Sequence, residues 1–134
     1  MNFEQAREGT GSVKCPFPNC DTKIISYTEP LRESVVQIPS APEMVNLEKT
    51  PSSSKFFRIS DMWDFDNIGV SRPLEQYTDF KIDSQTFDIE RILICSECDK
   101  GPIGFAGHFN HDTEKSPNTL TYFLSCNSMV YSGQ

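Results

Sequence analysis

Long apolar runs are missing from this chain of 134 residues. No stretch reaches the ~18 apolar residues that a membrane helix requires, so no spanning segment is expected. The opening MNFEQAREGTGS has no apolar core of a secretory signal, and no lipidation or retention motif closes the chain. A cytoplasmic location follows by elimination. Basic residues are scarce: 12 Lys and Arg face 19 Asp and Glu, a formal charge of −7. Nucleic acids and anionic membranes are bound through clustered Lys and Arg, so neither is expected as the main partner. Leu, Ile, Val and Phe together number only 32. That lies near the composition at which chains stop burying enough surface to fold. Something besides the core must then help to hold the fold. Helical periodicity of any useful length is absent, and so are internal repeats apart from two cysteine pairs.

What is present is a series of short β-branched and aromatic runs between turn residues. KIISYT (23–28), SVVQI (34–38) and KFFRIS (55–60) read as strands. DFKI and TFDIERILIC read as a hairpin over 79–95, with its turn at Asp83-Ser84-Gln85. IGFAGHF (103–109) and LTYFLSCNSMVY (120–131) read as two further strands, and 61–73 as irregular. Nine prolines and seven glycines make the rest loop. The pattern predicts a β-rich fold of short antiparallel strands in one domain over 13–134. Residues 1–12 are expected to be a flexible N-terminus. The segment at 39–55, with three prolines and four serines, is expected to be a mobile loop.

Five cysteines stand out in so small a chain. Cys15 and Cys20 flank CPFPNC, and Cys95 and Cys98 flank CSEC. Either spacing lets two sulfurs of one tight turn meet a single ion. In a reducing compartment spaced cysteines are more often metal ligands than disulfides. Zinc takes four tetrahedral ligands, and four thiolates leave no open position for catalysis. The reading is one structural Zn²⁺ that clips two distant hairpins together. Two unrelated buried pairs, or a redox-active CxxC, are the alternatives. The redox motif belongs to a βαβ setting that is not evident here. Cys126 reads as an ordinary thiol on the last strand. His108 and His111 form an HxxH pair and read as surface or turn histidines.

The most distinctive stretch is SDMWDFDNIG (60–69), which interleaves three carboxylates with Met62, the only Trp and Phe65. As a strand it would mix acid and apolar on both faces, so neither face makes a clean core. One reading is a strand edge with Trp63 and Phe65 partly buried. The other is a protein-binding surface. Trp, Met and Phe anchor interfaces, and the acids would select and steer a basic partner.

Taken together, Cys15 and Cys20, DMWDFDNIGVSR (61–72) and LICSECDKGPIGF (93–105) resemble the small zinc-binding Rab-interacting factors, the Mss and Dss proteins. The resemblance runs from about Val13 to Val130. The CPFPNC spacing, Trp63 and GVSR look closer to the fungal Dss-type members. It implies a β-tent whose hairpins are joined by zinc on Cys15, Cys20, Cys95 and Cys98. It implies a regulator with no catalytic residues of its own. Such factors bind nucleotide-free Rab GTPases of the exocytic pathway and release GDP, as exchange factors or chaperones in vesicular transport. Carried over by position, the partner-binding residues are Asp61, Met62, Trp63, Asp64, Phe65, Asn67 and Glu97. Glu97 stands where the family has aspartate, and Trp63 where the mammalian form has phenylalanine. A monomer is expected. Two other functions compete: a methionine sulfoxide reductase of the B type, echoed by Cys126-Asn127, and a zinc-ribbon adaptor for another protein.

Overall fold

The computed structural model describes residues 11–39, 41, 44–45, 55–71, 77–82, 85–109 and 120–133. Ten strands carry the fold: β1 (Gly11–Lys14), β2 (Lys23–Tyr27), β3 (Val35–Gln37), β4 (Lys55–Ile59), β5 (Gly69–Val70), β6 (Tyr77–Ile82), β7 (Gln85–Ile94), β8 (Gly104–Phe109), β9 (Thr121–Ser125) and β10 (Val130–Gly133). They form two antiparallel sheets. The small one has the order β10-β1-β2. The large one runs β3-β4-β9-β8-β7-β5, with β6 also paired to β7. Ten-residue β7 is long enough to take β6 along its first half and β5 at its last two residues. The β-rich expectation therefore holds. Strand β1 starts at Gly11, inside the expected N-terminal tail; residues 1–10 lie outside the described residues.

A core forms where the sheets face each other. It joins Val13, Ile24, Ile25, Tyr27, Phe57, Ile59, Leu93, Tyr122, Leu124 and Tyr131. A second core lies on the other face of the large sheet. There Phe87 meets Phe109 at 4.8 Å and Phe123 at 5.4 Å between ring centroids, and Phe56 meets Phe105 at 5.2 Å. Edge-to-face rings of this kind bury large areas per residue. Strand β8 is buried along its whole length because it faces both cores. Part of the 39–55 segment is packed: Ala41 and Met44 lie against the second core, and the Val45 amide donates to the Pro102 carbonyl at 2.9 Å. Residues 40, 42–43 and 46–54 of that segment lie outside the described residues.

Three local features depart from the expectations. The run 120–131 is not one strand. It breaks at a 3-10 turn, Cys126–Ser128, so β9 sits inside the large sheet between β4 and β8 and β10 crosses to the small one. The Tyr131 hydroxyl braces this corner by donating to the Cys126 carbonyl at 2.7 Å. A short helix, α1 (Glu29–Glu33), also forms. Its N-cap Thr28 accepts from the Leu31 amide, and Pro30 sits in the first turn, where its missing N–H costs nothing. At little over one turn it is too short to show helical periodicity. Finally, His108 is not a surface histidine. It is 2% exposed on β8, and its Nδ1 pairs with the Glu90 carboxylate at the bulge of β7. His111 lies outside the described residues. Among the described residues no helix is long and apolar enough to cross a membrane.

Candidate metal centre and binding surface

The first cysteine hairpin joins β1 to β2. Cys15 donates its amide to the Thr22 carbonyl at 2.8 Å, and Cys20 donates to Phe17 at 3.2 Å, so CPFPNC closes as a tight loop. Asn19 and Asp21 turn it with φ of 67° and 55°, left-handed values that Asn and Asp tolerate best among residues with side chains. The second hairpin leaves β7. Cys95 donates to Lys100 at 3.1 Å, Asp99 donates back to Cys95 at 2.9 Å, and Asp99 has φ 58°. The Lys100 ammonium lies 5.6 Å from the Phe17 ring centroid, a cation–π contact between the two hairpins.

These turns bring together four sulfurs. Cys15 Sγ lies 3.7 Å from Cys98 Sγ, and Cys20 Sγ 3.5 Å from Cys95 Sγ. All four lie within 4.8 Å of one another. A tetrahedron with zinc–sulfur arms of about 2.3 Å has edges of about 3.8 Å. The donor set and its spacing therefore fit one tetrahedral ion of thiolate preference. Burial pushes the Cys15 and Cys95 thiols up from 9.0. Cys20 is lowered to about 7, chiefly by the Thr22 hydroxyl 3.2 Å from its sulfur. Desolvated thiols gain most from exchanging their protons for a cation. Among the described residues this is the single cluster of metal-binding groups.

The acidic-aromatic stretch lies between the two hairpins in the connectivity. It is a 3-10 turn over Met62–Asp64 rather than a strand. Asp61 caps it, its carboxylate accepting from the Trp63 amide at 2.9 Å. The turn sets Trp63 92% exposed and Met62 48% exposed, while Asp61, Asp64 and Asp66 also face solvent. Phe65 points the other way. It is buried, stacks edge-on against Tyr122 at 5.6 Å, and bridges to Ile25. The Asp66 and Asn67 amides both donate to the Ile24 carbonyl, and the Asn67 side-chain amide donates to the Lys23 carbonyl at 2.9 Å. Lys23 pairs with Asp66 at 3.5 Å. Two residues further on, Gly69 and Val70 pair with Ile94 and Leu93 of β7.

The stretch thus leaves β4, makes its exposed turn, and is then stitched by Phe65–Asn67 to β2, just after the first cysteine hairpin. Immediately beyond, Gly69 and Val70 stitch it to β7, just before the second. Glu97 is exposed in that second hairpin. Of the seven residues expected at a partner surface, Asp61, Met62, Trp63, Asp64 and Glu97 face solvent. Phe65 and Asn67 are turned to the protein's own framework. Lys23 and Thr22, which brace this arrangement, carry no signal in the sequence; only the contacts name them. Cys126 is fully buried.

The family model described as Mss4 protein matches residues 10–131. The chain is 30% identical over 141 residues to Protein DSS4 of Saccharomyces cerevisiae, covering 90% of this chain and 96% of that one. It is 30% identical over 83 residues to the Guanine nucleotide exchange factor MSS4 homolog of Schizosaccharomyces pombe, covering 60% and 71%. To the protein of the same name in Drosophila melanogaster it is 25% identical over 108 residues, covering 76% and 77%. With the cysteine cluster and the exposed acidic-aromatic turn both inside the matched span, the chain belongs to the Mss4 family.

Proposed function

We propose that this protein is a guanine nucleotide exchange factor or chaperone that binds an exocytic Rab GTPase in its nucleotide-free form and promotes release of GDP. The observation that carries the reading is the Met62–Asp64 turn: an almost fully exposed tryptophan amid carboxylates, capped by Asp61 and followed by residues tethered to both sheets. The names of the relatives support the same class of activity. A tryptophan exposed at this level is costly in water and is the residue type most enriched at interface hot spots. A GTPase holds nucleotide through a P-loop, its lysine and Mg²⁺, so an emptied site is left with uncompensated positive charge. In this reading Met62 and Trp63 dock on the opened switch region. Asp61, Asp64 and Glu97 face basic groups near the emptied phosphate site, while Phe65 and Asn67 hold the turn in place. Linkage then requires that nucleotide and factor weaken each other equally. No covalent step is involved.

Zn²⁺ on Cys15, Cys20, Cys95 and Cys98 would act structurally, as four thiolates leave no open position. The reductase reading finds little support, because Cys126 is fully buried among the described residues, whereas a reactive thiol is partly exposed. The test is GDP release from a panel of Rab GTPases with and without the protein at several Mg²⁺ levels. Acceleration on at least one Rab, with tighter binding to its empty than to its GTP-loaded form, is expected. Equal binding to both forms across the panel would sink the proposal and leave an adaptor.

A further inference from the structure

We propose that a cleft beside the Trp63 turn is a second subsite of this surface, built to receive one Lys or Arg side chain of the GTPase that docks on Trp63. The proposal rests on the function proposed above and adds a site and a chemistry to it. The cleft has a volume of about 450 Å³ and opens between α1, β2, β4 and the Met62–Asp64 turn. Its inner wall is apolar: Ile25, Leu31 and Ile59 are all buried. Its mouth is polar, with Ser26, Ser60 and the exposed carboxylate of Asp64.

Three observations select the occupant. First, an apolar wall ending in a carboxylate matches a long basic side chain, whose methylenes bury while its charged head stays at the rim. Second, the cation that borders the cleft does not fill it. Arg58 alternates along β4 with Phe57 and Ile59, and its guanidinium lies 4.9 Å from the ring centroid of Phe109, in the core on the other face of the sheet. Among the described residues lining the cleft, Asp64 is therefore the side-chain charge left facing the opening. Third, the cleft is continuous with the proposed docking turn, since Asp64 belongs to both and directly follows Trp63. A partner seated on Trp63 and Met62 is already within reach of it. The emptied phosphate site of a GTPase supplies basic side chains freed from their anion.

The experiment measures binding of nucleotide-free Rab GTPases to the full chain and four variants. Pro30→Trp and Ser60→Trp each fill the cleft from an exposed position and leave Trp63 untouched. Asp64→Asn removes the charge, and Trp63→Ala tests the docking turn separately. Both filled variants and Asp64→Asn are expected to weaken binding about tenfold with unchanged melting temperature. Exchanging the Rab's Lys and Arg residues singly for Met should find one whose loss adds nothing in the Asp64→Asn background. If Trp63→Ala loses binding while both filled variants bind like the parent, the cleft is idle and the subsite is overturned, with the function reading intact. Loss in the filled variants with no basic residue coupled to Asp64 overturns the occupant. If the parent binds no Rab, the function reading falls and the subsite with it.

Discussion

At the scale of single residues, two tyrosines that look alike in the sequence are in opposite situations. Tyr131 is buried with its hydroxyl donating to the Cys126 carbonyl, whereas the buried hydroxyl of Tyr27 has no partner among the described residues. Tyr131→Phe should therefore cost about 1 kcal/mol, while Tyr27→Phe should be neutral or stabilising; urea titration of both checks this. Burial raises the Tyr131 phenol well above its ordinary 10.0. A raised folded-state pKa means that stability is full below pH 10.0 and is lost as the pH climbs beyond it. The parent should show this alkaline loss, and Tyr131→Phe should reduce its slope. Residues of the Met62–Asp64 turn and its flank divide in the same way. Trp63→Ala should weaken Rab binding by about 2 kcal/mol, roughly 30-fold, without lowering the melting temperature. Asn67→Ala should cost about 1 kcal/mol of stability through the lost bond to Lys23, and speed amide exchange at Asp66 and Asn67. Unchanged exchange there would show that the tether is not what holds the turn.

At the scale of elements, the pairing of β7 with β8 depends on close backbone approach. A Cβ added to Gly107 would stand 1.9 Å from the Asp88 carbonyl oxygen. That neighbour is backbone and cannot swing aside. Gly107→Ala should cost about 2 kcal/mol or more, read as a lower urea midpoint. A midpoint equal to the parent's would mean that the bulge beside Glu90 absorbs the strain. Most strands were legible from the sequence because β-branched runs bounded by turn residues point to one local answer: 23–27, 55–59 and 85–94 lie where the pattern put them. Two elements were not. The corner at Cys126–Ser128 is made by contacts to Tyr131 and to the segment at Val45, and no run of residues announces it. The Met62–Asp64 turn hides in an alternating pattern because Phe65 alone of its aromatics goes inward.

At the scale of the whole molecule, the four cysteines cluster at the meeting of two hairpins, beside which the proposed binding stretch is tethered. Sulfurs 75 positions apart along the chain meet at 3.5 Å. A metal ion there would close so long a loop and take the protons' place on the two buried thiols, Cys15 and Cys95, which would tie metal affinity to folding. A strong chelator, or Cys95→Ser, should therefore lower the melting temperature of the whole chain cooperatively and abolish Rab binding along with it. A melting curve unmoved by chelator would show that no resident metal supports the fold. Residue types and spacing alone determined the β-rich class, the four cysteines that cluster and the stretch to watch, because thiol chemistry and strand propensity are local properties. Tertiary structure alone decided which face of that stretch meets solvent. Trp63 and Phe65 are both aromatic and only two apart, and no local rule separates them. The separation comes from Tyr122 and Ile25, which offer Phe65 a buried place, and from the capped turn at Asp61, which leaves Trp63 none.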